Sequence, residues 1–221
     1  MKKKKRFVVI GLGKFGYHVA RTLYEDGHEV VAIDRDQERV QRMDAYATEA
    51  IVLDATDKDK LAVLGLKEVD AAVVSTGSDT SRSILITLYL NELGVKHILA
   101  KALNEDHGKI LSRVGAREII EPEKAMALRI AKGLSAPNMI DFLPLEKGYS
   151  LLQIAPPKSF VGKTLAELNL RARFKIYVIA IKELVPDNFV IVPPASFVIK
   201  DSDVLVMVGR EEDIKKINEV S

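Results

Sequence analysis

The stretch Phe7-Val8-Val9-Ile10-Gly11-Leu12-Gly13-Lys14-Phe15-Gly16, followed by Glu29-Val30-Val31-Ala32-Ile33-Asp34, decides the fold of this 221-residue chain. It reads as a strand, a glycine-rich turn, a helix, and a second strand closed by an acid, the sequence form of a dinucleotide-binding βαβ unit. Gly11 permits the turn out of the strand, Gly13 lets a pyrophosphate approach the backbone, and Gly16 lets the helix pack closely on the sheet. The helix N-terminus adds free N–H groups and a positive dipole end. Asp34 lies about 20 residues on, as the pattern requires, and suits the two hydroxyls of an adenosine ribose. Its charge would repel a 2′-phosphate, which disfavours NADP.

Working outward, short β-rich runs alternate with helical segments up to about residue 120, the pattern of a parallel sheet covered on both faces. Strands are expected at Phe7–Ile10, Val30–Ile33, Ala50–Leu53, Ala71–Ser75, His97–Lys101 and Glu118–Ile120. Helices end where Gly27, Gly65, Gly94 and Gly115 provide left-handed caps, and Asp36, Asp57 and Asp79 suit N-caps. One more helix follows over Pro122–Leu134, with Met126, Ile130 and Leu134 on one face. The segment Ser135-Ala136-Pro137-Asn138 reads as a turn. Strands then follow at Met139–Leu143, Leu151–Ile154, Tyr177–Ile181, Phe189–Val192 and Val204–Val208, with short helices at Leu165–Leu168 and Glu211–Asn218. The expectation is an α/β Rossmann-type domain over residues 1–135, including the Pro122 helix, and a small α+β domain over residues 136–221.

Composition narrows the function. A net charge of +2 with mixed signs gives no nucleic-acid surface, and the basic run Lys2 to Arg6 reads as a solvated terminus. Without cysteine there is no disulfide, thiolate metal site or cysteine nucleophile. The longest apolar runs are strand-sized, far below the roughly 20 residues of a membrane span. A soluble, cytoplasmic protein is expected.

The carboxyl ends of the strands are where ligands of open α/β sheets bind. Besides the glycine loop with Lys14 and Phe15, and Asp34 with Arg35, those ends carry Asp54-Ala55-Thr56, Thr76-Gly77-Ser78 and Lys101. Asp54, Thr56 and the neighbouring Asp79 also suit plain turn and helix capping. Lys14 could reach a phosphate or stand as an exposed helix-start lysine, and Glu123 suits a helix N-terminus. Histidines 18, 28, 97 and 107 lack metal-ligand spacing. A dehydrogenase needs a group to move a proton beside the hydride, and neither a Tyr-x-x-x-Lys pair nor a histidine beside an acid at a strand end is present. The pattern turns from catalysis toward sensing.

The segments Val9 to Gly16, Gly94 to Lys101, Val114-Gly115-Ala116, Ile119 to Lys124 and Leu168-Asn169-Leu170-Arg171-Ala172 together resemble the regulatory subunits of bacterial Trk/Ktr potassium uptake systems, over nearly the whole length. Those subunits pair an N-terminal RCK (regulator of potassium conductance) domain with a small C-terminal RCK domain. The resemblance implies a non-enzymatic gating protein that dimerises through the helix after Pro122, assembles into an octameric ring, and docks on the cytosolic face of a potassium-translocating membrane subunit. It would be peripheral to the membrane through that partner only. It implies ATP/ADP or NAD(H) as ligand: Gly11, Gly13 and Gly16 at the pyrophosphate, Asp34 at the ribose, the 54–56 and 76–78 rims around adenine and sugar. Lys14 stands where relatives often carry an arginine near the terminal phosphate, and Glu123 where some hold a divalent cation (Mg or Ca) with ATP. Cyclic di-AMP would bind near Asn169, Arg171 and Ala172. The competing readings are a small NAD-dependent oxidoreductase and a sensor with the same site coupled to another partner.

Overall fold

A computed structural model describes residues 3–77, 79–135 and 138–218. The chain divides into two compact units, Met1–Pro122 and Glu123–Ser221.

The first unit runs β1 (Arg6–Ile10), α1 (Lys14–Glu25), β2 (Glu29–Asp34), α2 (Gln37–Met43), β3 (Glu49–Val52), α3 (Lys58–Ala62), β4 (Ala71–Val74), α4 (Thr80–Glu92), β5 (Ile98–Lys101), α5 (Glu105–Arg113) and β6 (Glu118–Ile120). The strands form one parallel sheet in the order β3-β2-β1-β4-β5-β6, with Ile10 level with Ile33 on one side and Val74 on the other. The order reverses between β1 and β4, so their loops diverge to opposite faces and leave a crevice at the carboxyl ends. Because side chains alternate along a strand, each strand feeds two cores. Val8, Ile10, Val31, Ile33 and Val74 pack on one face with Ile86 and Leu90 of α4. Val9, Val30, Ala32 and Val73 pack on the other with Ala20, Val40 and Met43 of α1 and α2. Full burial of one such Val, Leu or Ile contributes about 1.5–3 kcal/mol.

The punctuation follows the sequence. Asp36, Asp57 and Asp79 each cap the helix that follows through the side chain. Gly27, Gly65, Gly94 and Gly115 all have positive φ. The six strands expected in this unit are all present, within one residue at each end.

The second unit contains α6 (Pro122–Ser135) from Glu123 onward, then β7 (Met139–Pro144), β8 (Tyr149–Ile154), α7 (Leu165–Leu168), α8 (Leu170–Phe174), β9 (Tyr177–Glu183), β10 (Asn188–Ile191), β11 (Asp203–Arg210) and α9 (Glu211–Asn218). Its antiparallel sheet runs β10-β9-β11-β8-β7. Leu152, Ile154, Ile181, Leu205 and Met207 form a core with Leu168, Phe174 and Ile217 of the helices. The sequence reading missed α8, since Asn169 and Lys175 confine it to one turn between left-handed residues. It also counted α6 with the first domain, whereas the contacts group that helix with the second unit. A forked ion pair joins Arg129 of α6 to Asp141 of β7, at 2.6 Å through both Nε and Nη2. Ala136 and Pro137 of the expected turn lie outside the described residues.

Candidate functional site: a nucleotide-shaped crevice

The crevice at the carboxyl ends of the first sheet is a cleft of about 220 Å³. Its three glycines differ in what they serve. Gly11 has φ +95°, and a Cβ there would stand 2.2 Å from the Ser75 carbonyl oxygen. A Cβ on Gly16 would stand 1.9 Å from the Gly11 carbonyl oxygen. Both are therefore glycine because the chain packs against itself. Gly13 has an ordinary φ of −64°, and its Cβ would meet nothing nearer than Arg39 Nη1 at 4.0 Å. The space in front of Gly13 is open, where the glycine pattern places a phosphate. Gly13 is also the N-cap of α1 and supplies no side-chain hydrogen bond to the first turn. Those N–H groups are of the kind that anions satisfy.

Asp34 ends β2 and is 8% exposed. Its Oδ2 accepts from the Leu12 N–H at 2.7 Å and its Oδ1 from the Asp36 N–H at 3.0 Å. The carboxylate thus holds the glycine loop and the start of α2 while facing the cleft. Arg39, in the first turn of α2, approaches Asp34 Oδ2 at 3.5 Å and Asp36 Oδ2 at 3.4 Å.

Across the cleft, Asp54 Oδ1 accepts from the Thr56 N–H at 3.0 Å and the Thr56 hydroxyl at 2.6 Å. Arg82, in the first turn of α4, forks onto the same carboxylate at 3.1 and 2.7 Å. The Arg82 bonds first, and then those from Thr56, hold the Asp54 carboxyl well below the usual carboxylate range. Leu53, Ala55 and Ile86 give the cleft an apolar part. Thr76 lines it too, and its hydroxyl is buried with no hydrogen-bond partner among the described residues. A ligand with a polar group at that point would satisfy it.

The structure brings Gly11, Asp34, Arg35, Ala55, Thr76 and Gly77 of the expected residues to the cleft lining. Asp54 and Thr56 stand at its edge, engaged with each other and with Arg82. Lys14 is exposed at the start of α1, and Phe15 packs with the core under that helix. Lys101 ends β5 outside the lining. Ser78 lies outside the described residues. Glu123 is exposed in the first turn of α6, and among the described residues no three potential ligands gather to hold a metal ion. Sequence reasoning missed Arg39 and Arg82. The available signal was a cation in the first turns of the helices after β2 and β4, at the rim where ligands bind.

The TrkA-N domain model matches residues 7–122 and the TrkA-C domain model residues 150–220. The chain belongs to the TrkA-N/TrkA-C family. Among its relatives, "Ktr system potassium uptake protein C" of Bacillus subtilis is 40% identical over 213 residues, 96% of each chain. "Ktr system potassium uptake protein A" of the same organism is 36% identical over 214 residues, 97% of this chain and 96% of that one. In structure, the chain matches the GsuK RCK domain with a TM-score of 0.67 at 17% identity, over 99% of this chain and 48% of that chain. That likeness is one of fold, and this chain spans about half the GsuK length.

Proposed function

We propose that this protein is the nucleotide-binding regulatory subunit of a potassium uptake system, which biases the conductance of a membrane partner by changing shape rather than by turning over a substrate. The observation that carries the reading is Gly13: its backbone suits any residue, nothing among the described residues crowds it, and it faces open space beside Asp34 and an uncapped helix start. The Ktr relatives at 36–40% identity supply the transport context, and a GsuK channel of the same fold is described as bound to NAD.

The ligand is ATP/ADP or NAD(H). Gly11, Gly13 and Gly16 with the α1 N-terminus receive the pyrophosphate, Asp34 the ribose, and residues 54–56 and 76–78 the base and sugar. Arg39 adds a cation above the glycine loop that the sequence reading lacked. Glu123 would need ligands from the nucleotide or a second copy to hold Mg or Ca. Cyclic di-AMP at Asn169, Arg171 and Ala172 of the second unit is a separate proposal. The protein acts in the cytoplasm against the inner face of the membrane through its partner. Its copies join through the α6 stripe, where Met126, Ile130 and Leu134 are 50%, 55% and 84% exposed, and build an octameric ring. A ligand shifts such a ring only by its differential affinity for two shapes.

Calorimetric titration of the nucleotide-free protein with ATP, ADP, NAD and NADH, with light scattering on each complex, tests this. Saturable binding of an adenine nucleotide to an octamer-sized particle is expected. Absence of binding by all four overturns the reading, and oxidation of NADH with a substrate overturns the non-enzymatic part.

A further inference from the structure

Strand order places the ends of β3 and β4 on opposite banks of the crevice, with β2 and β1 between them. At a strand spacing of about 4.8 Å, those ends stand about 14 Å apart. Asp54 follows β3 and Arg82 follows β4, so the side-chain pair Asp54–Arg82 spans the gap. Both ends of this bridge are set in advance. Thr56 fixes the Asp54 carboxylate through its N–H and its hydroxyl, and Arg82 is only 18% exposed on a helix capped by Asp79. A planar guanidinium held by two parallel bonds has one geometry. The bridge lies at the apolar end of the cleft, where Leu53, Ala55 and Ile86 would bury the flat face of a base. With the bridge formed the cleft holds about 220 Å³, short of the roughly 300–1,000 Å³ of small-molecule sites.

We infer that Arg82 controls entry to the nucleotide site: forked onto Asp54, it latches the two banks together and lets go before the base can enter. The inference rests on the nucleotide reading above. A ligand that needs a fraction of open molecules binds with an affinity reduced by that fraction, and the latch sets the fraction. Arg82 is thus a positioning residue that acts through the opposite bank, and its removal should favour binding rather than impair it.

Surface plasmon resonance on the immobilised full chain, with unlabelled ADP, ATP and NADH, separates association from dissociation. For Arg82→Gln the association rate should rise about two- to five-fold, the range open to a partly exposed ion pair, with little change in dissociation. Asp54→Asn should give the same rise in association rate, whatever it does to dissociation through the contacts of residues 54–56 with the ligand, and the double variant should associate no faster than either single one, because one bridge is lost in all three. Unchanged or slower association, or faster dissociation in Arg82→Gln, overturns the latch while leaving the nucleotide reading intact. Failure of the wild-type chain to bind any of the three overturns the latch together with that reading.

Discussion

At the scale of single residues, three glycines of one motif have different reasons to be glycine, and substitution separates them. Gly16→Ala would drive a methyl to within 1.9 Å of the Gly11 carbonyl oxygen, so thermal unfolding should show a loss of several degrees or no folded protein. Gly13→Ala keeps an ordinary extended N-cap conformation with room for the methyl, so stability should change by no more than about 1 kcal/mol, the small loss of a poorer N-cap offsetting the entropy gained by removing a glycine. The same variant should lose nucleotide binding in calorimetry, because its methyl would stand where the proposed site receives the phosphate. Equal destabilisation of both variants would remove the distinction.

His107 gives a second prediction at this scale. The Leu103 N–H donates to its Nδ1, so Nε2 carries the proton toward the Ser83 hydroxyl, which in turn donates to the Thr80 carbonyl. The neutral ring is satisfied, and a second ring proton would face the Leu103 N–H. Burial pushes the His107 pKa below its ordinary value. The unfolded chain, with a pKa of about 6.5, then binds more protons than the folded one at mildly acid pH. The His107 contribution is constant above that value and is lost as pH falls below it. Urea unfolding from pH 8 to pH 5 should show a steeper decline for the wild type than for His107→Gln; parallel curves would exclude the effect.

At the scale of elements, helix α6 combines a face tied to the sheet with an exposed apolar one. Its Arg129 is tied to Asp141, while Met126, Ile130 and Leu134 project an exposed apolar row. A row of that kind on a helix normally meets another surface. Ile130→Glu and Met126→Glu should therefore leave the thermal midpoint near that of the wild type at low concentration, yet reduce the particle size in light scattering. Unchanged size would place the subunit contact elsewhere. Helix α7 offers a simpler check. The Thr164–Glu167 capping box closes both ways, so Thr164→Ala should cost about 0.5–2 kcal/mol in denaturant unfolding.

At the scale of the whole molecule, two units with separate cores predict separable folding. A fragment of residues 1–122 should unfold cooperatively in calorimetry and bind the same nucleotide as the full chain, since every cleft residue lies within it. Loss of binding in a folded fragment would mean that the second unit, or a second copy joined through α6, completes the site.

The sequence by itself determined the features that depend on neighbours along the chain. Short continuous apolar runs marked the strands, positive-φ glycines and aspartate caps marked the helix ends, and the glycine motif with Asp34 marked the crevice, because each is set by local backbone geometry. The tertiary structure alone decided what depends on distant segments meeting. Arg82 reaches Asp54 only because strand order sets β3 and β4 on facing banks. Arg39 stands beside Asp34 only because α2 folds back over the rim. Asp34 holds the Leu12 N–H across 22 residues of chain. Long cations give no periodic signal, since their stems fit many environments and only the folded chain selects the carboxylate each one meets.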